Sequence, residues 1–119
     1  MIEERFELAL STEAGRSVVH VHGELDVSTA PMLGAALLAM LDQPEALVVD
    51  VRSVTFMDSS GLKAITDAWQ AAERRDEPRF SVGGPLRPPV RRVFDVTGLG
   101  NAIPYTELPG EAWRPEQRN

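Results

Sequence analysis

Asp58-Ser59-Ser60-Gly61 is the run of residues in this sequence best suited to chemistry. It follows Val54-Thr55-Phe56-Met57 and precedes Leu62, Ile65, Trp69 and Ala72, which are apolar at helical spacing, so it reads as a turn leading into a helix. A serine in such a turn has two uses. Its oxygen can cap the helix by accepting from an early backbone N–H, with Asp58 favourably placed by charge. Its hydroxyl can also take a phosphate, which would meet unpaired helix N–H groups whose dipole favours anions. If Ser59 is the cap, its hydroxyl lies at the exposed lip of the turn, whereas Ser60 has entered the first helical turn. Ser59 is therefore the first choice for modification and Ser60 the runner-up.

Other chemistries find less support. A serine on a strand-to-helix turn also suits a hydrolase nucleophile, but the residue two positions before Ser59 is Met57 and not glycine. The histidines, His20 and His22, lie far from the turn in sequence, and no Ser-His-Asp arrangement is discernible. They would share one face of a strand, where a carboxylate could in principle complete a metal site, yet no third ligand is identifiable. They read as half-exposed sheet residues. Gly61-Leu62-Lys63 lacks the spaced glycines of a phosphate-binding loop, and Gly83-Gly84-Pro85 reads as a turn. The expectation is a protein that is not an enzyme, with no catalytic residue, metal or cofactor.

The bulk properties are those of an ordinary globular domain. At 119 residues the chain is read as one domain, large enough to bury a core without staples. With 43% apolar and 25% charged residues, it has neither a disordered nor a membrane composition. It has no cysteine, which removes disulfides and thiolate chemistry and fits a cytoplasmic location. Met1-Ile2-Glu3-Glu4-Arg5 shows no export leader, and the apolar-looking stretch Ala30 to Leu41 falls short of the roughly 20 residues that cross a bilayer. A net charge of -6 disfavours nucleic acid. Arg87, Arg91 and Arg92, with Pro88 and Pro89 among them, read as a solvated helix start. Neither direct nucleic-acid binding nor a membrane partner is expected.

The elements that must position the turn follow from periodicity. Phe6 to Leu10 alternates as a half-buried strand, Thr12 to Arg16 forms a turn, and Ser17 to Gly23 is a β-rich strand completing an antiparallel hairpin. Ser28 and Thr29 are N-cap candidates for a helix with Pro31 in its first turn, apolar at Leu33, Leu37, Met40 and Leu41 and ending near Asp42-Gln43. Ala46 to Val51 reads as a strand covered on both faces. After the serine-bearing helix, Pro78 precedes a short strand, Arg79 to Val82. Val90, Val93, Phe94 and Leu99 mark a third helix behind Pro88-Pro89, closed by Gly98 as a left-handed cap, and Ile103 to Thr106 is a fifth strand. The predicted fold class is α/β: a five-stranded, mostly parallel mixed sheet with an N-terminal antiparallel hairpin and about three main helices. Residues 1–106 form the domain, and 107–119, with Pro109, Gly110 and Pro115, form a largely irregular, loose tail in which Trp113 is available to dock on the sheet. In such sheets function gathers at the carboxyl ends of parallel strands, which here are Glu24 to Ser28 and Asp58 to Gly61.

GELDVSTAPML (Gly23 to Leu33), LVVDVRSVTFMDSSGLKAI (Leu47 to Ile65) and PVRRVFDVTGL (Pro89 to Leu99), taken together and in this order, resemble the STAS domain in its bacterial anti-sigma-factor antagonist branch. The resemblance covers roughly Phe6 to Thr106. It implies a partner switch in transcription and stress regulation: the unmodified protein binds an anti-sigma factor and releases the sigma factor, and phosphorylation reverses this. The anti-sigma factor would be the serine kinase, the serine directly after the aspartate, Ser59, its target, and a separate serine phosphatase would restore the hydroxyl. The partner surface implied comprises Glu24, Asp26, Ser28, Asp58, Ser59, Ser60, Gly61 and Lys63. For Asp26 and Ser28 a capping role stands beside the partner-facing one, and Gly61 is also explained by close backbone approach. Monomer and weak dimer both remain open as the oligomeric state. Family members often end in an amphipathic helix, for which Pro109-Gly110 and Pro115 leave room for one turn at most. The alternative of another class is a STAS scaffold in a transporter or signalling assembly, without a phospho-switch.

Overall fold

Valine-rich strands that alternate between two buried faces organise the chain. The computed structural model describes residues 6–117. Met1 to Arg5, where no leader was read, and residues 118–119 of the tail lie outside the described residues. Five strands, β1 (Glu7–Glu13), β2 (Arg16–Leu25), β3 (Ala46–Met57), β4 (Phe80–Gly84) and β5 (Tyr105–Glu107), form one sheet in the order β1-β2-β3-β4-β5. The β1–β2 pair is antiparallel and the remaining pairs are parallel, as the predicted fold class requires. Three helices, α1 (Ala30–Met40), α2 (Ser59–Glu73) and α3 (Pro88–Thr97), provide the connections between the parallel strands, α3 with a short 3-10 turn at Leu99–Asn101.

The helices cover one face of the sheet. Val19, Val21, Val49, Val51 and Val82 from that face share a core with Leu33 and Leu37 of α1, Ile65 and Ala68 of α2, and Val90 and Phe94 of α3. Among the described residues, no α-helix packs on the opposite face. Its small cluster of Val18 and Val48 is closed by Leu108, from the segment after β5.

Several boundaries differ from the sequence reading. The turn assigned to Thr12 to Arg16 narrows to Ala14-Gly15, both at positive φ, so the ladder runs on to Glu13 opposite Arg16. Leu10, grouped with Phe6 and Leu8 by alternation, is 59% exposed, while those two pack against the core. β3 continues well past Val51 to Met57, staying parallel to β2 through two register shifts, at His20/His22 and Gly23/Glu24, as far as Leu25 opposite Met57. Gly83 and Gly84 belong to β4 and not to a loop, where they pair with Thr106 and Glu107 of β5. A Cβ on Gly83 would stand 2.5 Å from Leu108 Cδ1 and 2.9 Å from Val48 Cγ1, so the strand needs glycine to let the chain end close over it. Leu99 follows α3 rather than belonging to it, and Gly98 takes the expected left-handed cap with φ 76°.

The tail also departs from a loose chain. Beyond Leu108 it is irregular apart from a 3-10 turn at Pro115–Gln117, yet it is bonded to the sheet. Arg52 Nη1 donates to the carbonyls of Leu108, Pro109 and Gly110 at 3.5, 3.2 and 3.1 Å, and Ser53 Oγ donates to the Trp113 carbonyl at 2.9 Å. Composition alone suggests looseness here because the donors that hold the segment come from a strand more than fifty residues away.

Candidate functional site

The carboxyl ends of β2 and β3 lie side by side, with Glu24 paired to Phe56 and Leu25 to Met57. The Glu24 to Ser28 loop and the Asp58 to Gly61 turn therefore meet at one edge of the molecule. They are joined through Leu25, whose carbonyl accepts from the Asp58 N–H at 3.2 Å. A Cβ on Gly61 would lie 2.6 Å from Leu25 Cγ and 3.0 Å from its carbonyl oxygen. Glycine at this position lets the start of α2 press onto the end of β2, so the close-approach explanation of Gly61 holds.

The cap of α2 is Asp58, not Ser59. Asp58 has extended backbone angles, and its Oδ1 accepts from the N–H groups of Ser60 and Gly61 at 2.8 and 3.3 Å. A carboxylate directly before the serines takes the capping geometry because it reaches two first-turn donors and also meets the helix dipole. Ser59 becomes the first helical residue. It is exposed, and its hydroxyl makes no hydrogen bond to a described residue, while Ser60 is half-buried. Lys63, one turn on, is exposed and bridges Asp67 at 2.8 Å.

Asp26 organises the other loop in the same way. Its Oδ1 accepts from the Ser28 N–H at 2.9 Å, the Ser28 hydroxyl at 2.7 Å and the Thr29 N–H at 3.2 Å. The hydrogen bonds from the Ser28 hydroxyl and backbone hold the Asp26 carboxyl below its ordinary range. Thr29, the formal N-cap, makes no side-chain cap bond to α1, and its hydroxyl donates instead to the Glu24 carbonyl at 2.9 Å. Asp26 and Ser28 thus stabilise the entry to α1, with Ser28 and Glu24 exposed beside it.

Between the two helix starts runs a shallow groove of about 320 Å³, lined by Val27, Ala30, Pro31, Ser60, Lys63 and Ala64 among others. Val27 is 74% and Met32 57% exposed, and Phe56 is also exposed. The sequence reading missed these three apolar residues as a group. Val27 stands out as an apolar residue among the polar side chains of the first loop, but its exposure depends on how α1 meets α2. At this edge the chain presents exposed apolar side chains, an unbonded serine hydroxyl and ordered carboxylates, an arrangement suited to binding a protein surface.

The histidines lie elsewhere. His20 is not half-exposed: it is 5% exposed on the helix-free face, beneath Trp113. Both its ring nitrogens face protein groups, Asp50 on one side and Glu13 and Ser11 on the other. His22 is half-buried. No group of three His, Cys, Asp or Glu among the described residues is placed to hold a metal ion. No helix among the described residues is long and apolar enough to cross a membrane.

Comparison with known proteins identifies the family. The family model described as "Mlab, STAS domain" matches residues 8–108. The anti-sigma-B factor antagonist of Listeria monocytogenes is 31% identical over 94 residues, covering 78% of this chain and 81% of that protein. The crystal structure of an anti-sigma factor antagonist from Mycobacterium paratuberculosis superposes with a TM-score of 0.74 at 36% identity, covering 85% of each chain. SpoIIAA in its unphosphorylated form shares the fold, with a TM-score of 0.69 at 24% identity over 87% of this chain and 89% of that one. The chain belongs to the STAS-domain family, in its bacterial anti-sigma-factor antagonist branch.

Proposed function

We propose that this protein is an anti-sigma-factor antagonist that binds an anti-sigma serine kinase through the edge formed by Glu24 to Ser28 and Asp58 to Lys63, and that phosphorylation of Ser59 ends the binding. The observation that carries this reading is Ser59 itself, exposed at the first position of α2 with no hydrogen bond from its hydroxyl to a described residue. The chain is the kinase's substrate and not a catalyst, a separate serine phosphatase restores the hydroxyl, and the cycle belongs to the cytoplasm.

The geometry supports a particular way for the switch to act. Asp58 already occupies the first-turn N–H groups of Ser60 and Gly61, so a phosphate on Ser59 does not inherit them. It projects outward instead, adding about -1.5 to -2 charges beside the Asp58 carboxylate. Lys63 can turn toward it from an exposed pair with Asp67 that contributes little by itself. Nothing in this requires the domain to refold. A partner surface that accepts a bare hydroxyl, the carboxylates of the two loops and the exposed side chains of Val27 and Met32 is repelled by the added charge, and each 1.4 kcal/mol so lost weakens binding about tenfold.

The test is incubation with ATP, magnesium and a cognate anti-sigma kinase, followed by mapping of the phosphopeptide. Phosphate on Ser59, abolished by Ser59→Ala, is the expected result. Phosphate on Ser60 instead would move the switch by one residue. No phosphate on either, with unchanged partner binding by Ser59→Ala and Ser59→Asp, would favour a STAS scaffold without a phospho-switch.

A further inference from the structure

The helix-free face holds a buried polar cluster that the partner switch does not use. At its centre His20 Nδ1 lies 2.7 Å from Asp50 Oδ2, and Nε2 lies 3.0 Å from Glu13 Oε2 and 2.8 Å from Ser11 Oγ. The Ser11 hydroxyl donates its single proton to Glu13 at 2.6 Å, which leaves only its lone pairs for the histidine. Nε2 therefore faces two acceptors and Nδ1 faces a carboxylate. A neutral imidazole has one N–H and satisfies one side, whereas the imidazolium satisfies both.

The same ring supports the end of the chain. The Trp113 indole stacks on His20 with centroids 6.1 Å apart and planes at 29°, a geometry in which a protonated ring gains attraction to the π face. Trp113 lies in the strap, Leu108 to Arg114, that Arg52 and Ser53 hold by its carbonyls. Arg52 Nε is bonded to Asp50 Oδ1 at 3.0 Å, so the strap's main donor and His20 share one carboxylate.

We propose that protonated His20 latches the C-terminal strap onto the sheet, so that the strap is closed while His20 and the Asp50 carboxylate are both charged and loosens as His20 loses its proton.

The surrounding charges point the same way. From β1 come Glu13 and, opposite His22 in the ladder, Glu7; from β2 come His22 and Arg16, which is opposite Glu13; from β3 come Asp50 and Arg52. The strap contributes Glu111, which lines a cavity of about 310 Å³ together with Glu13, His20, Arg52 and Trp113, and Arg114, which lies near His22. With His20 charged, the inner set of His20, Arg52, Asp50 and Glu13 is neutral. Without that proton it carries a net negative charge facing Glu111. Burial opposes charging of His20, but the hydrogen bond and charge of Asp50, reinforced by Glu13, outweigh it and raise the pKa. Because the folded value is raised, the latch is complete below the unfolded value of about 6.5 and is lost as pH rises through the folded one.

The test is heteronuclear NMR of the whole chain across neutral pH, following the His20 ring, the Trp113 indole N–H and the amides of Gly110 and Glu111. The expected result is a His20 midpoint above about 6.5, with the strap resonances moving at that same midpoint. Glu13→Gln lowers both midpoints together, His22→Asn leaves the strap's transition in place, and His20→Gln removes it. A His20 midpoint at or below the ordinary value, strap resonances that do not follow it, or a transition lost with His22 and kept without His20 would overturn the proposal. The wild-type titration decides by itself if His20→Gln does not fold.

Discussion

Substituting Gly61 by alanine adds one methyl group where the carboxyl-end loops of β2 and β3 meet. That carbon would stand 2.6 Å from Leu25 Cγ, 2.9 Å from Leu25 Cδ2 and 3.0 Å from the Leu25 carbonyl oxygen. Gly61 is not among the glycines at positive φ, so the backbone admits alanine and helix propensity favours it by about 1 kcal/mol. Space works against it. Leu25 is fully buried and its carbonyl accepts from Asp58, so the side chain has no solvent to retreat into and the backbone is tied to the turn. Overpacking of this kind costs about 1–3 kcal/mol, leaving a net loss of about 1 kcal/mol after the propensity gain. For a domain of this size that lowers Tm by about 4 °C. Moving Leu25 also shifts the Glu24 to Ser28 loop against Ser59, so affinity for the anti-sigma factor falls by about tenfold for each 1.4 kcal/mol of lost contact. Thermal unfolding and isothermal titration calorimetry read the two effects. A variant with an unchanged or raised Tm and unchanged affinity would refute the claim that glycine is there to bring the loops together.

Three further outcomes are expected. Asp58→Ala removes the cap of α2 and lowers stability by about 0.5–2 kcal/mol in urea unfolding, whereas Ser59→Ala is close to neutral because its hydroxyl caps nothing. Arg52→Leu leaves Asp50 short of its cation and three strap carbonyls without their donor, for a loss of about 3–5 kcal/mol by the same measurement. Burial opposes ionisation of Asp50, but the bonds from His20 and Arg52 prevail and lower its pKa, so its stabilisation is present above the unfolded value and is lost as pH falls through the folded one. With His20 acting in the opposite sense, Tm measured against pH should be highest between about 4 and about 6.5 and decline on both sides.

Much of this was legible in the residues. Pro31 and Pro88 mark first helical turns, Gly98 marks a left-handed stop, and the β-branched runs Val18-Val19 and Val48-Val49 mark strands. Each of these signals acts on its own few residues. The assignments that failed depend on contacts distant in sequence. Asp58 and Ser59 are both good caps, and what decides between them is the extended backbone of Asp58, set by its bond to Leu25. The burial of His20 needs Asp50 of β3 and Trp113 as well as its β1 neighbours, and the first two lie far from it in the chain. The tail reads as loose because its prolines and glycine break local structure, yet what holds it is Arg52.

The central claim is that a phosphate on Ser59 removes binding without refolding the domain. The direct measurement is the affinity of a cognate anti-sigma kinase for the unmodified protein and for protein quantitatively phosphorylated at Ser59, with circular dichroism of both forms. The account predicts tight binding of the first, a loss of at least about tenfold for the second, and superimposable spectra. Equal affinities, or a loss of affinity accompanied by a changed fold, would contradict it.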